Sequence, residues 1–477
     1  MHNPNPFDFV PFASRPFLRP PEIYDTLGDY WSGFLEVTIT ALTPVHVVGY
    51  QQRGRRAGEH FFYVQDDRPC IPAATIRGCL RSFVEALTSG WVSQATAEYP
   101  KEYQKRHIGF RTFEEYENKS RSGTYTAPRA VEPDFKPRVR DHRKIDVASY
   151  LFGMVIEPEA GTDAEHEALA RKGKVRIEDA FIDPQSLVSN KYWVPDLDAE
   201  AFMGGAKPSA SNWWYLAPGG VRERRVRGRS LVEFIGVSFR GRKFYYHQDP
   251  LRCVQYYHKA SGNWSYSPRR DFYPVQLQCV PPEASTDRFR IYFDKVPEIL
   301  ATLLVHCLLP GDTIRHKLGY GKAYGYGSIA FSVEAAQLRK DTKGSRLPAV
   351  LQDMTTQVQA WHAGAWTGEG ATMKVGDDQL VDPLALEQLA CILGWQDYDR
   401  LLFTYPPFDK KYFMQPVYLN EFQALLGRSY DVTRFREVEQ EEGNGIAAEL
   451  FDVKKPIDFR YYQKQARGWD LIVKRKP

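Results

Sequence analysis

Four glycines, Gly319, Gly321, Gly325 and Gly327, crowd the stretch from His316 to Ser328, with His316, Lys317 and Lys322 among them. Glycine has no Cβ, so a backbone built this way approaches a phosphate closely and offers successive N–H donors, while the lysines neutralise charge. The segment stands between an expected helix and an expected strand. A hydrolytic phosphate loop needs GxxxxGK[ST] running from strand into helix, and here both sequence and order fail, which disfavours nucleotide hydrolysis. A tight turn is the plainest alternative, but this many glycines and lysines exceed what a turn requires. The chemistry indicated is a grip on a nucleic-acid backbone.

A second set of cations fits the same chemistry. From Val221 to Phe244 stand Arg222, Arg224, Arg225, Arg227, Arg229, Arg240, Arg242 and Lys243, against Glu223 and Glu233 alone. Trp213, Trp214, Tyr215, Phe244, Tyr245, Tyr246, Tyr256 and Tyr257 surround that stripe. Aromatics interleaved with arginine suit a single strand, because bases stack on flat side chains while cations hold phosphates. The blander alternative is a β-rich core with an exposed basic edge. Arg77 and Arg81, four apart, share one face of an expected helix and offer two guanidinium groups to something acidic. The cysteines lack CxxC or zinc spacing and the histidines lack HxH or HExxH, so no protein-built metal site is expected.

The elements that must position these residues follow from periodicity. With 477 residues, 43% apolar and 14% aromatic, the chain suits two or three domains, or one domain with large insertions. A negative mean hydropathy and the lack of a run of ~18 apolar residues argue against a membrane span. The start MHNPNPFDFVPF has no basic region before an apolar core, so no secretory signal is expected and the expected compartment is the cytoplasm. Residues 1–30 read as an extended arm that packs on a surface. Phe34 to Leu42 alternates as a strand, and Thr43-Pro44 ends it. A polar loop leads to a β-prone run at Phe61 to Gln65, with Asp66-Asp67 as a turn. From Thr75, Ile76, Leu80, Phe83, Val84 and Leu87 fall at helical spacing. Val175 to Ile182 and Phe289 to Phe293 read as strands, Val296 to Leu309 as a helix and Ser328 to Val333 as a strand. The order is strand, helix, strand, strand, helix, strand. The expected fold is therefore α+β: a ferredoxin-like (RRM-like) βαββαβ core over residues 31–340, with insertions at about 90–145 and 185–285. Residues 341–477 read as a mainly helical C-terminal appendage, with helices at Ala349 to His362, Leu384 to Leu393 and Asn420 to Leu426.

At these residues the chain resembles a known family. GYGKAYGYGSI resembles the glycine-rich loop of the RAMP superfamily, the repeat-associated proteins of CRISPR systems, and PCIPAATIRGCLR resembles its IPGSSLKGALR segment. DVASYLFG followed by KVRIEDAFI resembles the LFG…RVRDA stretch of type III backbone subunits. GGAKPSASNWWYL (Gly204 to Leu216) and RGRKFYYH (Arg240 to His247) are similar to a type III branch in which HKLGYGK is typical. These matches run in order from residue 34 to about 335.

The resemblance implies a guide (crRNA)-binding backbone subunit of a type III effector ribonucleoprotein in antiviral defence. Its implied partners are crRNA, target RNA, other RAMP backbone subunits and a large polymerase-like subunit, with no membrane. By match, Arg77 and Arg81 would contact the guide backbone and Gly319, Gly321, Lys322, Gly325 and Gly327 would close against it. Lys207, Ser209, Arg240, Arg242, Lys243, His316 and Lys317 are further RNA-binding candidates. Slicing members of the family carry an aspartate in the loop after the first strand. Gly49 to His60 has none, and Glu59 and His60 stand nearest that place as catalytic candidates. Cleaving RNA needs an activated 2′-hydroxyl or a protonated leaving oxygen, which a histidine or a metal-holding carboxylate can supply. Asp141-His142 is a lesser candidate. The expectation is a subunit that is not itself catalytic and needs no cofactor. The alternative is a RAMP endoribonuclease that cleaves target RNA or guide precursor, with a divalent metal only in that case. A protein-interaction scaffold without RNA contact is the third class.

Overall fold

Leu35, Val37, Ile39 and Ala41 alternate with Phe34, Glu36, Thr38 and Thr40, and only the first set is fully buried. That period of two makes Tyr30–Ala41 a strand, β1, with one face on the core. A computed structural model of the chain describes residues 7–13, 15–51, 59–92, 143–156, 169–196, 216–217, 220–226, 229–235, 238–239, 241–250, 273–341, 350–366 and 373–395. The elements that follow β1 in the central unit are α1 (Ala73–Leu87), β2 (Val175–Ile177), β3 (Phe289–Pro297), α2 (Glu298–Leu308) and β4 (Ser328–Asp341). In space the strands lie in the order β4, β1, β3, β2, and every neighbouring pair is antiparallel. The fold is thus mixed α+β.

Both helices bury their apolar stripes in the same core as the inward residues of β1 and β3. The stripe of α1 is Ile76, Leu80, Phe83, Val84 and Leu87, and that of α2 includes Leu300, Leu303, Leu304, Cys307 and Leu308. Each such aliphatic side chain stabilises the fold by about 1.5–3 kcal/mol relative to exposure. Each helix starts directly after a proline, Pro72 or Pro297, which cannot cap with its side chain. The first free N–H of α1, that of Ala73, donates instead to Asp179 Oδ1 at 2.6 Å, and Glu298 N–H of α2 donates to the Asp29 carbonyl at 3.0 Å.

Several boundaries differ from those expected. β4 continues past Val333 to Asp341, because β1 begins at Tyr30 and pairs along its whole length, with a register shift between Glu36 and Val37. Val296 and Pro297 stay in β3, opposite Trp31 and Tyr30, so α2 starts two residues later. The expected strand from Val175 to Ile182 is split: Val175–Ile177 pairs with β3, while Ala180–Phe181 pairs with Cys70 and Ile71. The helix expected from Ala349 begins at Thr355, since Gln352–Asp353 first pairs with β4 and Asp353 Oδ1 then accepts from Thr355 N–H at 3.0 Å. Helix Pro383–Ile392 is capped by Asp382, which accepts from Leu384 and Ala385 N–H groups. Val358, Leu389 and Ile392 from these two helices join the main core. The helix expected at Asn420 to Leu426 lies outside the described residues, as does most of the insertion at 90–145.

Two further sheets frame the glycine-rich segment. One has the strand order Val188–Asp196, Tyr273–Cys279, Glu59–Phe62, Val48–Gln51. The other is a pair: the arm contributes strand Phe7–Val10, antiparallel to Arg242–Tyr245. The first part of the basic stripe forms a hairpin, Gly220–Val226 against Arg229–Ile235. Among the described residues no helix is long and apolar enough to cross a membrane.

Candidate functional site

The glycine-rich segment folds back on the end of β1. Tyr320 N–H donates to the His46 carbonyl at 2.8 Å and Gly327 N–H to the Pro44 carbonyl at 2.9 Å. Thr43 Oγ1 donates to the Gly325 carbonyl at 2.8 Å and accepts from Ser328 N–H at 3.0 Å. The four glycines all have positive φ, from 72° to 92°. Close approach explains three of them directly. A Cβ at Gly319 would overlap the His46 carbonyl oxygen, one at Gly325 that of Gln248, and one at Gly327 that of Leu318. The glycines are therefore required by the loop's own packing as well as suited to a phosphate. That is a stronger demand than the sequence alone expresses.

The cations of the loop divide into two kinds. Lys317 is buried, and its ammonium donates to the Lys322 and Tyr326 carbonyls at 3.1 Å each, bracing the loop from within. His316 is also buried, edge-on to Phe83 and Phe331 at 5.2 Å from each ring. Burial pushes its pKa down to about 4, against hydrogen bonds to the Cys307 and Leu308 carbonyls. It is a neutral core residue rather than a surface cation. Lys322, in contrast, is half-buried and reaches over the Tyr245 ring at 5.8 Å. Burial lowers its pKa, and the neighbouring Cys79 raises it.

The other candidates are spread more widely. Lys243 lies 3.8 Å from the Phe7 ring centroid and 4.8 Å from that of Tyr245. Burial, and then the charge of Lys322, push its pKa down to about 7. Arg242 points the other way, into the protein, where it donates to the Gly90 carbonyl and stacks on Phe12 at 4.8 Å. Burial lowers its pKa to about 10, opposed by Glu85, Asp146 and Asp382. Its surroundings make it an internal tie between the arm and α1. Arg77 and Arg81 do share a face, and that face meets the C-terminal end of helix Val147–Phe152. Arg77 donates to the Phe152 carbonyl. Arg81 donates to the Gly153 carbonyl at 2.6 Å and to Ser149 Oγ at 3.3 Å, and pairs with Glu85 at 2.8 Å. Arg77 is exposed beyond that contact, whereas Arg81 is largely covered. Lys207, Ser209 and Arg240 lie outside the described residues, as does the side chain of Glu59.

His60 sits beside the loop, its ring 5.5 Å from that of Tyr320. Sequence reading missed its neighbour His46, which stacks on it at 6.1 Å and meets Tyr320 edge-on at 5.8 Å. His46 Nδ1 lies 2.7 Å from the Gln278 carbonyl, so this nitrogen carries the proton and Nε2 is a bare acceptor, buried and without a partner. Burial pushes the His46 pKa down to about 4. The sequence signal was a histidine directly after the strand-ending Thr43-Pro44 pair. Phe7 and Cys79 were also missed as neighbours of the loop, whereas Tyr245 stood among the aromatics read beside the basic stripe. No cluster of three or more His, Cys, Asp or Glu suited to a metal occurs among the described residues.

A family model described as the RAMP superfamily matches residues 38–330. No curated protein matches the sequence. Among solved structures the chain is similar to the cryo-EM structure of the Type III-B Cmr-beta bound to cognate target RNA, at 13% identity and a TM-score of 0.23. The match takes in 66% of this chain and 61% of that one.

Proposed function

The chain belongs to the RAMP superfamily, and from that premise we propose that it is a guide-RNA-binding backbone subunit of a type III effector ribonucleoprotein, not itself catalytic. The observation that carries the reading is the loop itself: glycines folded tightly on the end of β1, with the half-buried Lys322 among them. The chain order β1, α1, β2, β3, α2, β4 and the strand order β4, β1, β3, β2 support a ferredoxin-like βαββαβ core. In this reading residues 31–340 are the RAMP unit, 1–30 its arm and 341–477 its appendage. Guide RNA lies along Gly319, Gly321, Lys322, Gly325 and Gly327, with Arg77, Arg81 and Lys243 as further contacts and Lys207, Ser209 and Arg240 as outer ones. Target RNA, sister subunits and a large polymerase-like subunit are the other partners, in the cytoplasm.

Filter binding of single-stranded RNA across a salt series tests this. A grip on phosphates predicts affinity that falls steeply with salt, because binding releases counterions. Replacing Arg77, Arg81 and Lys322 by alanine should weaken binding with little sequence preference, since phosphate contacts position without specifying. A flat salt response returns the chain to the class of protein scaffolds.

The His46–His60 stack beside Tyr320 favours one second reading, a RAMP endoribonuclease acting on target RNA or guide precursor, with a divalent metal only there. Loss of one product from an RNA cleavage ladder on H60A or E59A would establish it. An uncut RNA in the assembled complex would leave the non-catalytic subunit.

A further inference from the structure

The face of the central sheet turned away from α1 and α2 is polar at most positions, as the solvated face of an antiparallel sheet should be. Thr38 and Thr40 of β1 and Ser332 and Glu334 of β4 keep to that rule. One row breaks it. Phe34 of β1 stands directly opposite Tyr292 of β3, and Tyr292 directly opposite Arg176 of β2. The two rings are half-buried, with centroids 5.8 Å apart and planes tilted by 53°. Neither ring belongs to the core, to which these strands contribute Leu35, Ile291 and Phe293 instead.

Each ring carries a guanidinium group, and the two are held differently. Arg290 lies over Phe34 at 4.4 Å and is tied to Glu36, its Nε and Nη2 donating to Oε1 at 3.3 and 3.0 Å. Arg288 pairs with Glu36 and Glu334 at 3.6 and 3.9 Å. That end of the row is closed by ion pairs. Arg176 lies over Tyr292 at 3.9 Å, is exposed, and among the described residues makes no ion pair. Tyr292 is fixed by its hydroxyl, which donates to Glu178 Oε1 at 2.6 Å, while Glu178 Oε2 accepts from the Arg290 backbone N–H at 3.1 Å. This end of the row is a ring held in place under an exposed planar cation.

Around the two rings the charges balance, with Arg176, Arg288 and Arg290 against Glu36, Glu178 and Glu334. Such a surface does not track a run of phosphates, which needs an excess of cations. What it offers is stacking, because unpaired bases pack on aromatic rings and on guanidinium planes alike. We infer that Arg176 and Tyr292 form a stacking site for one unpaired RNA base. The inference rests on the RNA-binding reading and adds to it a second contact, roughly 20 Å along β1 from the glycine-rich loop at ~3.3 Å per residue. The loop holds phosphates and this row holds a base, so the two contribute to affinity in different ways.

The test compares a fluorescein-labelled single-stranded RNA with an abasic ribose-phosphate oligomer of the same length, each titrated with the full chain across a salt series. R176K keeps the charge and loses the plane. It should weaken RNA binding several-fold with the salt slope unchanged, and leave the affinity for the abasic oligomer as it was. Y292L should weaken RNA binding roughly 5- to 150-fold, the span of base–aromatic stacking, again without effect on the abasic oligomer. Y292F, which keeps the ring, should retain most of the affinity. Variants R176K and Y292L that bind RNA as the unaltered chain does would reduce the row to a cross-strand pair that stabilises the sheet, and overturn the inference. Equal losses on RNA and on the abasic oligomer would assign these residues to phosphates or to folding, and overturn it as well. If the unaltered chain binds neither RNA nor the abasic oligomer, it is the proposed function that fails, a result distinct from both of these.

Discussion

Gly319 lies directly against the carbonyl of His46, so close that position 319 has no room for a Cβ, and the next residue's N–H donates to that same carbonyl at 2.8 Å. The contact docks the glycine-rich loop on the end of β1. G319A should therefore cost about 1–2 kcal/mol for the left-handed backbone alone, and more for the overlap. G327A should behave alike, since Leu318 stands in the same relation to it. Gly78, exposed in α1 with no atom within 4 Å of the place a Cβ would take, is the internal control. G78A should stabilise by about 0.5–1 kcal/mol, as alanine does in a helix. Urea midpoints of the three variants check the sign in each case, and a neutral G319A would mean that the loop is not docked as described.

Arg81 supports the fold before it supports any ligand. Its pair with Glu85 is 13% and 10% exposed on the two sides, and its other nitrogens serve Gly153 and Ser149. Removing it leaves a covered carboxylate, the Gly153 carbonyl and the Ser149 hydroxyl without its donors, which costs about 3 kcal/mol. R81A should therefore lower the unfolding midpoint and RNA affinity together. Arg77 is exposed beyond one carbonyl contact, so R77A should lower affinity with the midpoint nearly unchanged. Paired measurements on the two variants separate the roles, and equal midpoints would show Arg81 to be no tie at all.

These cases show what was legible in the sequence. Alternation over Phe34 to Leu42 and the helical spacing of Ile76 to Leu87 located β1 and α1, because burial of one face leaves its period in the chain. The run of glycines located the loop. What could not be read was which side of a strand or loop a cation takes. Arg242 and Lys243 are neighbours in one basic stripe, yet alternation along a strand sends one into a buried nest of carboxylates and the other to an aromatic wall. His316 and Lys317 looked like part of a positive surface, but the short strand His316–Lys317 pairs with the start of β4 and turns both inward. His46 drew no notice because its neighbours His60 and Tyr320 come from distant parts of the chain.

Acid should unfold the protein through its buried histidines. The pKa of His46 and of His316 falls from 6.5 in the open chain to about 4 in the fold. Between those values the unfolded chain binds more protons than the folded one, so stability rises with pH and is lost as pH falls from 6.5 to about 4. Each group contributes about 3 kcal/mol to that change. Urea midpoints measured through this window should decline steadily, and H316F, which places a ring that cannot be protonated between Phe83 and Phe331, should flatten part of the slope. A midpoint insensitive to pH in the unaltered chain would mean that these rings are hydrated.

Lys317 and Lys322 make the sharpest contrast, since the sequence offers them as equivalent cations of one loop. Lys317 is spent on the loop itself, its ammonium joining the carbonyls of Lys322 and Tyr326 across the turn. K317M takes the ammonium from both carbonyls in a buried place and leaves that of Lys322 only the Gly325 N–H, at a cost of about 1–3 kcal/mol, so the unfolding midpoint should fall. Any loss of RNA affinity then follows from a loosened loop, and its salt slope should stay near that of the unaltered chain. K322M removes a cation that faces the Tyr245 ring and braces no turn, leaving the midpoint in place while affinity and slope both fall. If instead K317M reduced the slope and K322M the midpoint, the inner and outer lysines would have to exchange roles.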